Sequence, residues 1–437
     1  MRRSGVRFSS APPNTSIHSS AKRASGYGKT SDSSQSGQMS EVTGAALNPR
    51  RRWRLASLWP MLFLFLAALY LAPDTRSMRN TYYLLVLLPA LVLLRREDFH
   101  LLWKNPVLRA ASLLLGYLWL SCLWSENDNL GKVAKTGAQL VYLLVFLLVA
   151  TRCLNSDVRR QQLMAVVVVS AVFGALLSLW NFWELSHDRT IEQWLWIKRM
   201  RFWGSADHPI IGASLYATAA ICAYCASKQS PEWKRHLWLL SCALLALLIF
   251  RSYSRGPLIA FVGTFMIGVI LSGDRKAKII FGLAAISGLI WLGNQDPGSM
   301  LARGLGFRPQ IWFTVMQDVL QAPLLGHGLL SDESLELVRS GRKLLVINHP
   351  HSIFFATFFY GGLVGVMLLL ALLISCFKVA IRLARQGRYE VFLLLLLAVG
   401  LGVTDNNKLL TSPNPIWLFY WLPMALAAVE GLLEPKC

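Results

Sequence analysis

The residues best placed to do chemistry lie between Asn348 and Gly365, in the run NHPHSIFFATFFYGGLVG. This run joins the longest polar insert of the chain to a new membrane-length apolar segment. Pro350 disfavours the helical region for His349, so the chain enters extended. A helix can then start near His351 or Ser352, which puts an imidazole at a membrane–water boundary beside the open N–H groups of a first turn. A ring with an unperturbed pKa of about 6.5 can take a proton from a hydroxyl there. The same ring could do no more than cap the helix. Gly361, Gly362 and Gly365 follow about three turns on, and they predict a helix face flat enough for another backbone to approach closely.

Three further stretches offer cations at the same kind of boundary. The segment at about 184–208 interleaves Trp194, Trp196, Phe202 and Trp203 with Lys198, Arg199 and Arg201. That mixture suits a helix lying among lipid headgroups, and its arginines could clamp a lipid phosphate through paired donors. The turn RSYSRGP carries Arg251 and Arg255, costly near the membrane unless paired or facing water. They either snorkel to the outer interface or, for Arg255, face the cavity of His351 and hold an anion. In the third stretch Arg308 immediately precedes Pro309, where a helix can begin, so a guanidinium and a helix N-terminus combine into an anion site.

The elements that must hold these residues are membrane helices. Of the 437 residues 54% are apolar and only 15% charged, against about a quarter charged in soluble domains. Apolar runs fall at about 55–72, 80–94, 107–124, 137–151, 161–183, 209–226, 236–251, 256–272, 278–293, 351–377, 390–404 and 415–433. They predict an all-α polytopic membrane protein of about twelve spans. The net charge of +21 invites a nucleic-acid reading, but the Lys and Arg residues sit mostly in the short loops that alternate with the runs. That is the pattern of cytoplasmic loops, and it places both termini inside. Residues 1–48, rich in Ser, Gly and basic residues, form a tail unable to bury a core, with Met39 a plausible start. Arg50, Arg51, Arg52 and Arg54 then precede a retained signal-anchor. Residues 49–293 hold spans one to nine, 294–350 form a large outer loop, and 351–437 hold the last three spans. Within that loop a helix around Ile311 to Leu320 and a second one from about Ser331 to Arg339 predict a helical lid. The seven cysteines avoid both long outer segments, so no disulfide framework is expected. Cys222 and Cys225, a CxxC inside an apolar run, read as packing residues.

Taken in order, SYSRG at 252–256, the R-x-x-x-W of Arg308 to Trp312, PLLGHG at 323–328 and the histidine segment resemble the O-antigen ligase family, which shares its membrane domain with O-antigen polymerases and some protein O-glycosyltransferases. Ligases of this kind carry a histidine, then Asn, Ser or Gln, nine residues, a Gly, two residues and a small or polar one. His351, Ser352, Gly362 and Gly365 fit that spacing. The resemblance is strongest over about 250–375. It implies a fold like the class C glycosyltransferases, in the bacterial inner membrane with a periplasmic active site. It also implies transfer of a glycan from undecaprenyl pyrophosphate to the lipid A-core of lipopolysaccharide, with membrane lipids around it and no metal, cofactor or nucleic acid.

On that reading the leaving pyrophosphate gains charge in the transition state and preorganised cations stabilise it. Arg199, Arg308 and Arg255 are the catalytic candidates, the first two ranked highest, with Arg201, Trp203, Trp312, His349, Ser352, Gly362 and Gly365 as substrate-binding residues. His351 is the general base for the acceptor hydroxyl, and direct attack inverts the anomeric centre. His349 is its main competitor, and the Asp207–His208 pair a weaker one. A polymerase or a protein O-glycosyltransferase using the same donor is the alternative, and a transporter is the alternative of another class.

Overall fold

The computed structural model describes residues 55–126, 129–184, 200–273, 308–332, 335–339, 342–347, 350–404 and 408–432. Eleven of the twelve apolar runs fall on helices; the run at 278–293 lies outside the described residues. In chain order the helices are α1 Trp59–Leu71, α2 Thr75–Leu93, α3 Arg96–Lys104, α4 Pro106–Leu120 and α5 Leu130–Cys153. They continue with α6 Asp157–Glu184, α7 Pro209–Gln229, α8 Glu232–Arg251, α9 Arg255–Leu271 and α10 Arg308–Val319. The last three are α11 Ile353–Arg385, α12 Glu390–Thr404 and α13 Trp417–Leu432. Among the described residues, α4 (extended to Trp124) to α8 and α11 are long and apolar enough to cross a membrane. The shorter apolar helices are α1, α9, α12 and α13, and α2 with α3 forms a pair bent by 101°.

The helix starts follow local chemistry. Asp74 caps α2 by accepting from the Ser77 amide at 2.7 Å, and its carboxyl is held below the usual range chiefly by that bond. Asn105 caps α4, accepting from Val107 and Leu108, with Pro106 in the first turn. Two helices widen into a π turn just before a proline: Tyr83–Leu87 ahead of Pro89, and Trp417–Trp421 ahead of Pro423. A proline ring collides with the carbonyl four residues back, and the wider turn relieves that collision.

The most enclosed helix is α7, whose small residues Gly212, Ala213, Ser214, Ala217, Ala219 and Ala220 let α8, α6, α9 and α12 close around it. Cys222 and Cys225 are buried in it, as packing residues should be. A second centre gathers aromatic rings, with Trp417 edge-on to Phe65 and Tyr82 and tilted against Phe146.

The described part of the segment 294–350, expected to be a large outer loop with a helical lid, departs from that expectation in one respect. Its first helix, α10, is present, but the second is not: Leu335–Arg339 and Arg342–Ile347 form an antiparallel hairpin, β1 and β2, with Leu335 opposite Ile347 and Arg339 opposite Arg342. The sequences LELVR and RKLLVI are rich in branched residues and flank a Ser-Gly dipeptide, a strand–turn–strand pattern that wins over the helical spacing.

Candidate functional site

One end of the helix bundle collects the chemistry-bearing residues. It holds the first turns of α7, α9 and α11 and the last turns of α4, α6, α8 and α12. The C-terminal turn of α12 is the common wall. On one side the Gly256 Cα lies so close to the Thr404 side chain that a Cβ there would collide with it. On the other, a Cβ on Gly402 would meet the Ile353 side chain at 3.3 Å. Gly256, next to Arg255, and Ile353, two residues after His351, therefore both touch the last turn of α12.

Both flanks carry backbone strain. Among the described residues two non-glycine residues have positive φ: Tyr253 at 51° and His351 at 52°. One lies in the SYSRG turn and the other is the motif histidine. Left-handed backbone is uncommon outside glycine, and such strain persists only where surrounding structure imposes it, often at functional sites. Ser352, not His351, takes the N-cap position of α11; it is extended, buried, and its carbonyl accepts from Ala356 at 2.9 Å. His351 is half-buried one residue ahead of the cap.

The approach to His351 is fixed from α10. The Trp312 indole N–H donates to the Pro350 carbonyl at 3.1 Å, and the ring stacks on Phe355 at 5.2 Å with planes 17° apart. The tryptophan of the R-x-x-x-W stretch thus clamps the residue before the histidine. Arg308 opens α10, with its side chain outside the described residues. Arg199 and His349 also lie outside the described residues.

The glycines act differently from a flat helix face. Gly362, with φ 58° and ψ −158°, breaks α11 into a kink. The kink releases the helical hydrogen bonds around it, and the turn PLLGHG takes them up: Leu363 N–H donates to Pro323 at 2.9 Å and Val364 N–H to Leu324 at 3.2 Å. In return His327 N–H donates to Phe359 at 2.8 Å and Gly328 N–H to Tyr360 at 2.9 Å. A Cβ on Gly362 would run into the Leu324 carbonyl, and one on Gly326 into the Gly361–Gly362 backbone. Two backbones interlock where side chains could not fit. The close approach was foreseeable from the glycines; the kink was not. Gly365, also buried, packs against the Thr357 carbonyl across the kink.

Neighbouring polar groups brace this junction. Tyr117 Oη lies 2.9 Å from the Gly361 carbonyl and 3.1 Å from that of Leu325, which share its single proton. His327 stacks on Phe359 at 4.7 Å, with Nε2 2.9 Å from the Asp318 carbonyl. Burial raises the Asp318 carboxyl pKa, and the charge of His327 opposes that rise. Lys408, a residue the sequence motifs do not mark, donates to the Leu329 carbonyl at 3.1 Å and lies 4.5 Å over the Tyr360 ring. Its signal in sequence is slight: a lone lysine between the last two apolar runs.

The segment Met200–His208 closes the other flank. Met200 N–H donates to the Arg251 carbonyl at 3.2 Å, which ties this segment to the SYSRG turn. Arg201 is exposed, 3.8 Å from the equally exposed Asp207, a pairing that solvent leaves weak. Trp203 anchors rather than floats: its amide donates to Ser178 Oγ at 2.9 Å and its indole to the Leu71 carbonyl at 3.3 Å. His208 precedes Pro209 at the start of α7, in the N-cap position. Among the described residues no group of three His, Cys, Asp or Glu side chains could hold a metal ion.

Residues 240–370 match the family model described as O-antigen ligase. That span runs from α8 to the middle of α11 and includes the SYSRG turn, Arg308, Trp312, PLLGHG, His351, Ser352, Gly362 and Gly365. The chain is also similar to an O-antigen ligase of Pseudomonas aeruginosa PAO1, 29% identical over 385 residues, covering 86% of this chain and 90% of the relative.

Proposed function

We propose, from a chain whose resemblance to the O-antigen ligase family is shown by the family's domain and by a relative along most of its length, that it transfers a lipid-linked glycan to the lipid A-core of lipopolysaccharide. The donor is undecaprenyl pyrophosphate, the fold has about twelve spans in the inner membrane with both termini cytoplasmic, and the site faces the periplasm beneath the loop of α10, β1 and β2. The observation that carries the reading is that the two strained residues, Tyr253 and His351, each lie two or three residues ahead of a residue packed on the α12 terminus, Gly256 and Ile353, within the two motifs that the family match covers.

The chemistry follows from that arrangement. His351 takes the proton of the acceptor sugar hydroxyl as the oxygen attacks the anomeric carbon. The sugar–phosphate bond breaks on the opposite side, its electron pair leaves with the pyrophosphate, and the anomeric centre inverts. Arg199, Arg255 and Arg308 receive the growing charge, with Arg201 and the positioning residues Trp203, Trp312, Ser352, Gly362 and Gly365 shaping the cleft. His349, the main competitor for the role of base, lies outside the described residues. No metal enters the step. The test is a lipopolysaccharide gel from a strain lacking this gene, with and without it restored. The reading predicts loss of the whole O-antigen ladder with lipid-linked polymer accumulating. Collapse of the ladder to a single short band would instead mark a polymerase.

A further inference from the structure

Ser178 stands between Leu177 and Leu179 in the second half of α6, and it is fully buried. A hydroxyl offers one donor and two acceptor positions, and here all three are taken. Ser178 O–H donates to the Gly174 carbonyl at 2.7 Å, one turn back in the same helix. Its oxygen accepts from the Trp203 amide at 2.9 Å and lies 3.2 Å from Tyr216 Oη on α7. With the serine proton already placed, the tyrosine is the donor in that pair. The Gly174 carbonyl alone would satisfy a serine in an apolar helix. The other two bonds serve the partners, and they join α6, α7 and the segment Met200–His208 at one atom.

The C-terminus of α1 fixes the same segment from its other side. The last carbonyls of a helix have no partner within it, and the segment takes up three of them. The Trp203 indole donates to Leu71 at 3.3 Å, Ser205 N–H to Ala72 at 3.2 Å and Ser205 Oγ to Leu69 at 2.9 Å. Gly204, with φ 60°, sits so near the Ala72 carbonyl that a Cβ would collide with it. Met200 and Phe202 are buried, and the Phe202 ring lies 4.9 Å from that of Tyr216. Arg201, between them, is 76% exposed at its side chain.

Arg201 is thus an outward-facing guanidinium on a pinned stretch of backbone. Its solvent-exposed pairing with Asp207 is weak enough for a phosphate to replace. The bond from Met200 N–H to the Arg251 carbonyl joins the stretch to the turn that leads into Arg255. A guanidinium fork grips phosphate oxygens best when it is held in place before the ligand arrives. Resting on the transfer from a pyrophosphate-linked donor argued above, we propose that Ser178 is a positioning residue for donor binding. Through the Trp203 amide, its hydroxyl sets where Arg201 stands.

The test is steady-state transfer by the full chain, with lipid-linked donor and lipid A-core acceptor each varied in turn. Ser178→Ala strands two buried donors, the Trp203 amide and the Tyr216 hydroxyl. It should raise the donor KM about 10-fold, with kcat and the acceptor KM unchanged. That split marks lost binding of the donor, whereas a merely structural loss of folded protein would lower kcat. Arg201→Ala should raise the donor KM about 10-fold as well, and adding Ser178→Ala to it should raise it no further, because the two act as one unit. Arg201 is exposed, so that variant tests the role even where Ser178→Ala does not fold. Tyr216→Phe keeps the bond to Trp203 and should leave the donor KM unchanged. A donor KM unmoved by Ser178→Ala or by Arg201→Ala, a multiplied rise in the double variant, an equal rise in Tyr216→Phe, or a fall in kcat alone would each overturn the role of Ser178. Wild-type protein that transfers no glycan would overturn the functional reading, and this role with it.

Discussion

At the scale of single residues, a guanidinium does what an ammonium does not: it presents paired donors in a rigid fork. Arg255, itself exposed, opens α9 directly ahead of a buried glycine pressed against Thr404. If its fork grips two phosphate oxygens, a lysine keeps the charge and loses the bidentate geometry. Arg255→Lys is therefore expected to lower the transfer rate by about 10²-fold, measured with purified protein and lipid-linked donor. Equal rates would reduce Arg255 to a positional charge. The residue types at this end were readable in the sequence, because histidine, arginine and glycine at motif spacing stand out in a chain that is otherwise apolar. Their backbone state was not. Nothing in SYSRG or PHSI announces that Tyr253 and His351 occupy left-handed backbone, since tertiary contacts from α12 and α10 impose it.

At the scale of elements, the junction between α11 and PLLGHG holds the histidine's helix in place. Gly362 supplies a φ and ψ that only glycine adopts readily, and its missing Cβ admits the Leu324 carbonyl. Gly362→Ala should destabilise the protein by about 3 kcal/mol or more, combining the backbone strain with the collision. A thermal-unfolding shift in detergent would check this, and a melting temperature equal to wild type would show that the kink tolerates a side chain. The glycines pointed to close packing, but a run of apolar residues gives no sign of where a helix bends. The kink becomes visible only through its partner turn, some thirty-five residues earlier in the chain. The hairpin Leu335–Ile347 was missed for a related reason: short apolar runs fit helix and strand alike, and strand pairing decided between them.

At the scale of the whole molecule, the structure sorts charged residues between two ends of the bundle, and the alternation of basic loops with apolar runs carries the proposal of which end faces inward. Arg255, His351 and Lys408 gather at one end. Arg160, Arg388, Glu430 and the exposed Arg385 gather at the other. The order of apolar runs was legible because each run is long and charge-poor, which no tertiary contact can disguise. Which helix stands at the centre was less legible: α7 is no more apolar than its neighbours, and its small residues rather than its hydropathy let the others close on it. The orientation gives a direct prediction. All six described cysteines are buried, so background labelling should be low once Cys437 is replaced by serine. A cysteine at Tyr253 should react with an impermeant thiol reagent from the periplasm of intact spheroplasts. A cysteine at Arg385 should react only after the membrane is opened. The reverse pattern would invert the assigned topology.

The most direct measurement is transfer by the His351→Ala protein in a reconstituted assay with lipid-linked donor and lipid A-core acceptor, alongside donor binding by the same protein. The account predicts a rate lowered by about 10²- to 10⁴-fold, with donor binding close to that of the unaltered protein. Near-normal transfer by that variant would contradict it, because no imidazole would then be taking the acceptor's proton at this position.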